Sequence, residues 1–376
     1  MRVLLTVNAA WNVWNFRLPL VAALLAEGHE VTVLAPVDDS VTMLREMGCN
    51  FVPLPMNVKG LNPLEGVKLV QRFKQQFRVV RPDVVLSYTI KNNIFGAMAA
   101  RAVGVPFIPN VTGLGTAFLS GGLLQAVAEG LYRRAFRGLS AVFFQNADDR
   151  DLFVQRRLIA SEQARLLPGS GINLQRFTAA EMPAAGSTPV FLMIARLLRD
   201  KGVLEYVEAA RRVKTQHPQA RFQLLGAVDA DNRTAIDRAT VERWVADGLV
   251  EYLGTTVDVR PFIAAAHCVV LPSYREGAPR TLIEAAAMAR PLIATDVPGC
   301  RAVVDDGVNG YLCAVRDGAS LADAVMRFMA LPHAAQVEMG QAGRLKMRHE
   351  FDESLVVEAY QSVISAAYDR AQKLQL

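Results

Sequence analysis

Short, almost wholly apolar runs alternate along this chain with longer stretches in which apolar residues recur every three or four positions. It opens with RVLLTV (2–7), PLVAALLAEG (19–28) and EVTVLAP (30–36). An unbroken apolar run predicts a strand buried on both faces and the helical recurrence predicts a covering helix, so the alternation reads as β-α-β units around a parallel sheet. The rhythm continues through PDVVLSY (82–88), a helix over 93–104, FIPNVTG (107–113) and AVFFQN (141–146). It lapses in PGSGINLQRFTAAEMPAAGSTP (168–189), rich in Pro, Gly, Ser and Ala, which reads as a linker. A second series then runs through PVFLMIA (189–195), a helix over 202–216, RFQLLG (221–226), a helix over 231–247 and VEYLG (250–254). CVVLPS (268–273), a helix over 280–289, PLIATD (291–296) and GYLCAV (310–315) complete it.

The expected fold is α/β, with two doubly wound Rossmann-like domains facing across a cleft, one over 1–167 and one over 189–350, joined by a linker over 168–188. The stretch 351–376 keeps helical periodicity without another strand and is expected to pack back across the domains. Open parallel sheets bind ligands beyond the carboxyl ends of their strands, which directs attention to the loops after each run.

A length of 376 residues suits two domains, and 52% hydrophobic with 20% charged residues excludes a disordered chain. Cys49, Cys268, Cys300 and Cys313 form no CxxC pair, which speaks against a disulfide framework or a structural zinc site and for a reducing cytoplasm. The opening MRVLLTVNAA is interrupted by Asn8 and reads as a strand rather than an export signal, and no run reaches the roughly 18 apolar residues of a spanning helix. Charge is divided unevenly. Residues 1–180 hold 19 Lys and Arg against 12 acids, and the remainder 22 against 24. The basic first half suggests an anionic ligand or surface there, and the absence of zinc-finger, helix-turn-helix or aromatic RNA-binding patterns argues against nucleic acid.

The densest chemistry lies in REGAPRTLIEAAAMARPLIATDVPGC (275–300). Glu276 ends a strand-to-helix turn, and Glu284 follows eight residues later inside the helix. Backbone amides around Arg280, Thr281 and Leu282 fall at the helix N-terminus, where unpaired N–H groups and the dipole favour a phosphate. The alternative is a capping acid followed by a solvated helix residue. In IARLLRDKG (194–202) Arg196 and Lys201 sit between a strand and a helix, where both cations could meet the same phosphates, or could be ordinary loop charges.

Together with LLPGSGINLQRF (166–177), EGAPRTLIEA and DVPGCRAVVDDGVNGYL (296–312), these stretches resemble the family 4 glycosyltransferases of the GT-B fold over essentially the whole chain. The resemblance implies that Arg196 and Lys201 bind the donor diphosphate, Glu284 the ribose and Glu276 the transferred sugar. Gly226, Gly254, Gly277, Arg280, Thr281 and Leu282 would complete the donor side. It further implies transfer with retained anomeric configuration, without a metal or other cofactor. NVWNFRLPL (12–20), SYTIKNNIFGAMAARAVGVP (87–106) and NVTGLGTAF (110–118) resemble the branch that builds polyprenyl-diphosphate-linked bacterial glycans, which suggests a UDP-linked hexose or N-acetylhexosamine donor.

The chain departs from many relatives in carrying Ala9 and Ala10 where a glycine pair is common, and Thr112-Gly113 where a histidine is common. No catalytic His is therefore expected, and His29 reads as a residue of a helix–strand turn. A leaving phosphate can itself accept the acceptor's proton, with positioning and electrostatics supplying most of the catalysis. Asn15, Arg17, Lys91, Asn92 and Thr112 follow first-domain strands or open adjoining helices and are the acceptor-side candidates; Arg17 and Lys91 could equally be surface charges. KLVQRFKQQFRVVR (68–81) and GLLQAVAEGLYRRAFRG (122–138) read as amphipathic helices able either to lie on anionic lipid or to cover the sheet. The expectation is sugar transfer to a lipid-diphosphate-linked saccharide at the inner face of the cytoplasmic membrane. A soluble acceptor, a UDP-sugar 2-epimerase and an inactive binding protein are the alternatives.

Overall fold

A computed structural model describes residues 1–57, 63–114, 122–228, 232 and 234–375. The end of the 110–118 match and the first turn of the helix expected over 231–247 lie largely outside these residues; the described helix there is Arg238–Ala246, capped by Asp237. The chain divides into two units, Met1–Gly171 with Glu353–Leu376, and Ile172–Asp352.

The first unit holds β1 (Arg2–Thr6), β2 (Glu30–Ala35), β3 (Asn50–Pro53), β4 (Val84–Tyr88), β5 (Phe107–Val111), β6 (Val142–Phe144) and β7 (Ala164–Leu166). They form one parallel sheet in the order β3-β2-β1-β4-β5-β6-β7. The second unit holds β8 (Val190–Ile194), β9 (Arg221–Leu225), β10 (Glu251–Tyr252), β11 (Cys268–Leu271), β12 (Leu292–Thr295) and β13 (Gly310–Cys313). Its parallel order is β10-β9-β8-β11-β12-β13.

The unbroken apolar runs follow from helices on both faces. In β8, Phe191 and Met193 join Tyr206 and Val325 on one side, while Leu192 and Ile194 join Ala285 and Met288 on the other. Side chains alternate faces along a strand, so burial on both faces demands apolar residues at every position.

Two strands escape this signature. NFVP of β3 and ARL of β7 are sheet edges, short and partly exposed, and edge strands tolerate the polar residues and proline that hid them.

The aperiodic stretch 168–188 is no linker but largely part of the second unit. Ile172, Leu174 and Phe177 are buried in its core, and the fully buried Arg290 donates to the carbonyls of Ala180 (2.9 Å), Glu181 (2.5 Å), Ile263 (3.1 Å) and Ala264 (2.7 Å). A segment anchored by scattered side chains and by its carbonyls has no period to read.

The C-terminal stretch forms helix Glu353–Gln375, whose Val356, Tyr360 and Ile364 enter the first unit's core. Tyr360 accepts a hydrogen bond from Asn110 Nδ2 at 2.9 Å.

Candidate active site

In the second sheet the chain runs outward from β8 through β9 to β10, then returns to β11 on the other side of β8. Strand order thus reverses between β8 and β11, and such a switch point opens a crevice at the strand carboxyl ends. Arg196 and Lys201 follow β8, and Glu276 follows β11. Topology therefore brings together residues that are 75 positions apart in sequence.

The two loops are fastened to one another. Gly202 adopts φ +77°, and a Cβ there would lie 2.0 Å from the Pro272 carbonyl oxygen, so only glycine allows this approach. Asp200 O accepts the Tyr274 N–H at 2.9 Å and the Ser273 hydroxyl at 3.2 Å, and Tyr274 Oη donates to Glu205 Oε1 at 2.7 Å. From the far side Gly299, at φ +81°, abuts the carbonyls of Glu276 and Gly277; a Cβ would meet both oxygens at 2.6 Å. The Thr295 hydroxyl donates to Ser273 O. Held this way, Lys201 Nζ stands 2.5 Å from Glu276 Oε1.

Arg196 is exposed at the exit of β8, and its side chain makes no hydrogen bond or ion pair among the described residues. Beside it, a Cβ on Gly226 would fall 1.8 Å from Ala195 O, and the Gly226 N–H donates to Gly254 O at 2.8 Å. Gly226 thus packs backbone against backbone at the strand ends.

Glu284 lies on helix Arg280–Ala287 and is only 7% exposed. Burial pushes its carboxyl above the ordinary glutamate value, and Arg280, whose Nε donates to Glu284 Oε1 at 2.7 Å, partly offsets that rise. The solvated-residue alternative for Glu284 is thereby removed. So is the capping role for Glu276, because the helix is capped by Pro279 without a side-chain bond. Neither carboxylate is free, however, as each already holds a cation. The Leu282 amide is not open either: it donates to Pro279 O at 3.0 Å in a tight first turn, with its side chain fully buried. Thr281 stays partly exposed there.

The first sheet reverses between β1 and β4. Asn92 spans this point as a core residue, fully buried, donating to Thr6 Oγ1 at 2.8 Å and accepting from Thr89 Oγ1 at 2.9 Å. A role facing solvent is corrected by that burial. Arg17 is no surface charge: 4% exposed, it sets its guanidinium 4.3 Å from the centre of the Tyr88 ring. The Asn15 amide donates to Trp11 O of its own helix. Lys91 Nζ donates to Asn57 O at 2.6 Å, and Thr112, just beyond β5, is partly exposed. His29 lies at the helix–strand turn beside Glu27, at 3.1 Å, and the amino terminus.

The sequence reading missed Gly202, Gly299 and Tyr274. Gly202 and Gly299 lie within the quoted motifs and Tyr274 between two of them, but their work depends on which strand ends are neighbours, and periodicity does not report strand order.

Residues 13–169 match the family model described as a glycosyl transferase 4-like domain, and residues 188–330 the one described as glycosyl transferases group 1. The chain is 25% identical, over 99% of its length and 100% of the relative's, to the N,N'-diacetylbacillosaminyl-diphospho-undecaprenol alpha-1,3-N-acetylgalactosaminyltransferase of Campylobacter jejuni. It is 24% identical to the UDP-Gal:alpha-D-GlcNAc-diphosphoundecaprenol alpha-1,3-galactosyltransferase of Escherichia coli, over 74% of this chain and 72% of that one. Among solved structures, a glycosyltransferase from Rickettsia africae superposes with TM-score 0.79 at 17% identity, covering 97% of this chain and 98% of that one. Anabaena Alr3699/HepE, crystallised with UDP, gives 0.78 at 16% identity, covering 97% and 100%. The paired parallel-sheet units have the GT-B architecture.

Proposed function

The chain belongs to the group 1 glycosyl transferases, with their 4-like domain in its first half, and on that premise we propose that it moves one sugar from a UDP-linked donor to a polyprenyl-diphosphate-linked saccharide. The observation that carries the donor half is the Lys201–Glu276 contact at the strand switch point, with exposed Arg196 on the same β8 exit. A cation beside a carboxylate fits a ligand with an anionic leaving group next to a hydroxyl-rich sugar. The UDP assignment is supported by the nucleotide in the Anabaena structure and by the name of the Escherichia coli enzyme, and the acceptor by the names of both relatives.

In this reading Arg196 and Lys201 spread the charge of the departing diphosphate, Glu276 holds the sugar and Glu284 accepts from the ribose. The leaving phosphate takes the acceptor's proton as the new bond forms on the face it vacates, which retains configuration. The two cations supply the positive charge, so transfer is expected to continue unchanged in EDTA.

The basic first half is proposed to rest on anionic lipid at the inner face of the cytoplasmic membrane. Exposed Leu123, with Arg133 and Arg134 on the same helix, supports this. No helix among the described residues is long and apolar enough to cross a membrane.

Two measurements test the proposal. In a thermal-shift panel of nucleotide sugars, UDP-linked sugars should raise the midpoint; a rise with GDP-sugars alone overturns the donor. Labelled sugar should enter an organic-extractable product, and label confined to water would mean a soluble acceptor.

Glu284 adds a pH signature. An acid whose pKa is raised is neutral below that pKa and anionic above it. Donor KM should therefore climb as pH falls, starting above the ordinary glutamate pKa of about 4.3. Glu284→Gln should raise KM about tenfold or more at neutral pH and flatten the acid limb.

A further inference from the structure

Between helices Pro63–Val80 and Gly122–Phe136 of the first unit lies a cavity of about 460 Å³. Its floor is Ile94 and Phe95, from the π-helical turn Asn92–Gly96 that follows β4. Val67 and Val70 form one wall, Val127 and Leu131 the other. The packing is close: a Cβ on Gly66 would come 2.7 Å from the Phe95 ring.

Three features mark this cavity as more than a packing gap. Its size falls in the roughly 300–1,000 Å³ range of ligand pockets. Its mouth presents apolar side chains to water, Val67 being 63% and Val127 51% exposed, and uncovered apolar surface of this kind marks a binding face. Its rim is cationic, with Arg72, Lys91 and Arg134 against the single acid Glu65 among the described lining residues.

The rim also joins the strand ends. Lys91 stands just beyond β4, one of the two strands at the first sheet's switch point, and the same π-helical turn sends Asn92 inward to Thr6 while Ile94 and Phe95 face the cavity. A π-turn is uncommon and recurs at functional sites. An occupant would thus have an anionic group near Lys91 and hydrocarbon beyond it.

We propose that this cavity takes the hydrocarbon chain of a lipid diphosphate, seating the first isoprenoid units of the acceptor while the basic rim meets its phosphates. This deepens the acceptor reading above and rests on it. The occupant is one chain entering between two helices, as distinct from a bilayer lying across them.

The test uses the full chain without membranes, saturated with UDP so that the donor site does not compete for diphosphates. Inorganic, dimethylallyl and farnesyl diphosphate are titrated calorimetrically. Farnesyl diphosphate should bind about tenfold or more tighter than dimethylallyl diphosphate, because each additional buried methylene strengthens binding. The double variant Val67→Gln/Val127→Gln should erase that preference and leave inorganic diphosphate binding unchanged. Ala128→Phe, which fills the cavity instead of making it polar, should do the same, and the UDP thermal shift reports that each variant is folded.

Equal affinity for all three diphosphates overturns the proposal, as does a chain-length preference that survives in both variants. Variants that lose only binding to phosphatidylglycerol vesicles would make the face a bilayer contact, and that too overturns it. Chain-length-selective binding without labelled lipid product leaves the cavity standing and defeats the acceptor reading. Lipid product with an unchanged acceptor KM in both variants defeats the cavity alone.

Discussion

Lys201→Ala should lower kcat about a hundredfold to a thousandfold while donor KM changes much less. Removing one preorganised charge from a group that stabilises a developing anion costs about this much, and the loss appears in kcat when the interaction strengthens in the transition state. The geometry makes Lys201 the sharper test than Arg196. Lys201 is half-buried and locked by the Gly202 approach, whereas Arg196 is exposed and must be ordered by the ligand. Lys201→Arg should recover only part of the loss, because a planar guanidinium cannot replace a compact ammonium 2.5 Å from Glu276. Single-turnover kinetics check this; a wild-type kcat in Lys201→Ala would remove the residue from catalysis. Both loops are tied by bonds that do not involve the Lys201 side chain, so the thermal midpoint should move little.

How much of this site could be read beforehand depends on which physical rule governs each residue. Glu276, Glu284, Arg196 and Lys201 stand out in the sequence because residue type, spacing and family resemblance converge on strand-end loops. Their pairing does not, since Lys201 meeting Glu276 requires β8 and β11 to be neighbours. Asn92 shows the converse failure. Position after a strand suggested a ligand-facing role, yet Asn92 satisfies Thr6 in the core. The helix around 122–138 was recognised as amphipathic with Leu123, Leu124, Val127 and Leu131 on one side, but its fully buried residues are Tyr132, Ala135 and Phe136. A pattern tells which face is apolar; only the neighbours decide whether that face meets the core.

Gly202→Ala should be severely damaging for a single added methyl group, and comparison with Gly254→Ala shows why. Both glycines have nearly the same left-handed backbone, φ +77° and φ +75°. Placing a side chain on such a backbone costs about 1–2 kcal/mol whatever surrounds it. Around Gly254 a new Cβ meets nothing within 4 Å, so Gly254→Ala should lose only that strain. At Gly202 the same atom would lie 2.0 Å from Pro272 O and 2.6 Å from its carbonyl carbon, which are backbone atoms at the exit of β11 and cannot rotate aside. One loop must retreat, breaking the Tyr274 and Ser273 bonds to Asp200 and drawing Lys201 away from Glu276. Gly202→Ala should therefore cost about 4 kcal/mol or more in urea unfolding and reduce transfer at least as far as Lys201→Ala. Equal losses in the two alanine variants would show that strain alone governs Gly202, and that the contact between strand ends does not hold Lys201 in place.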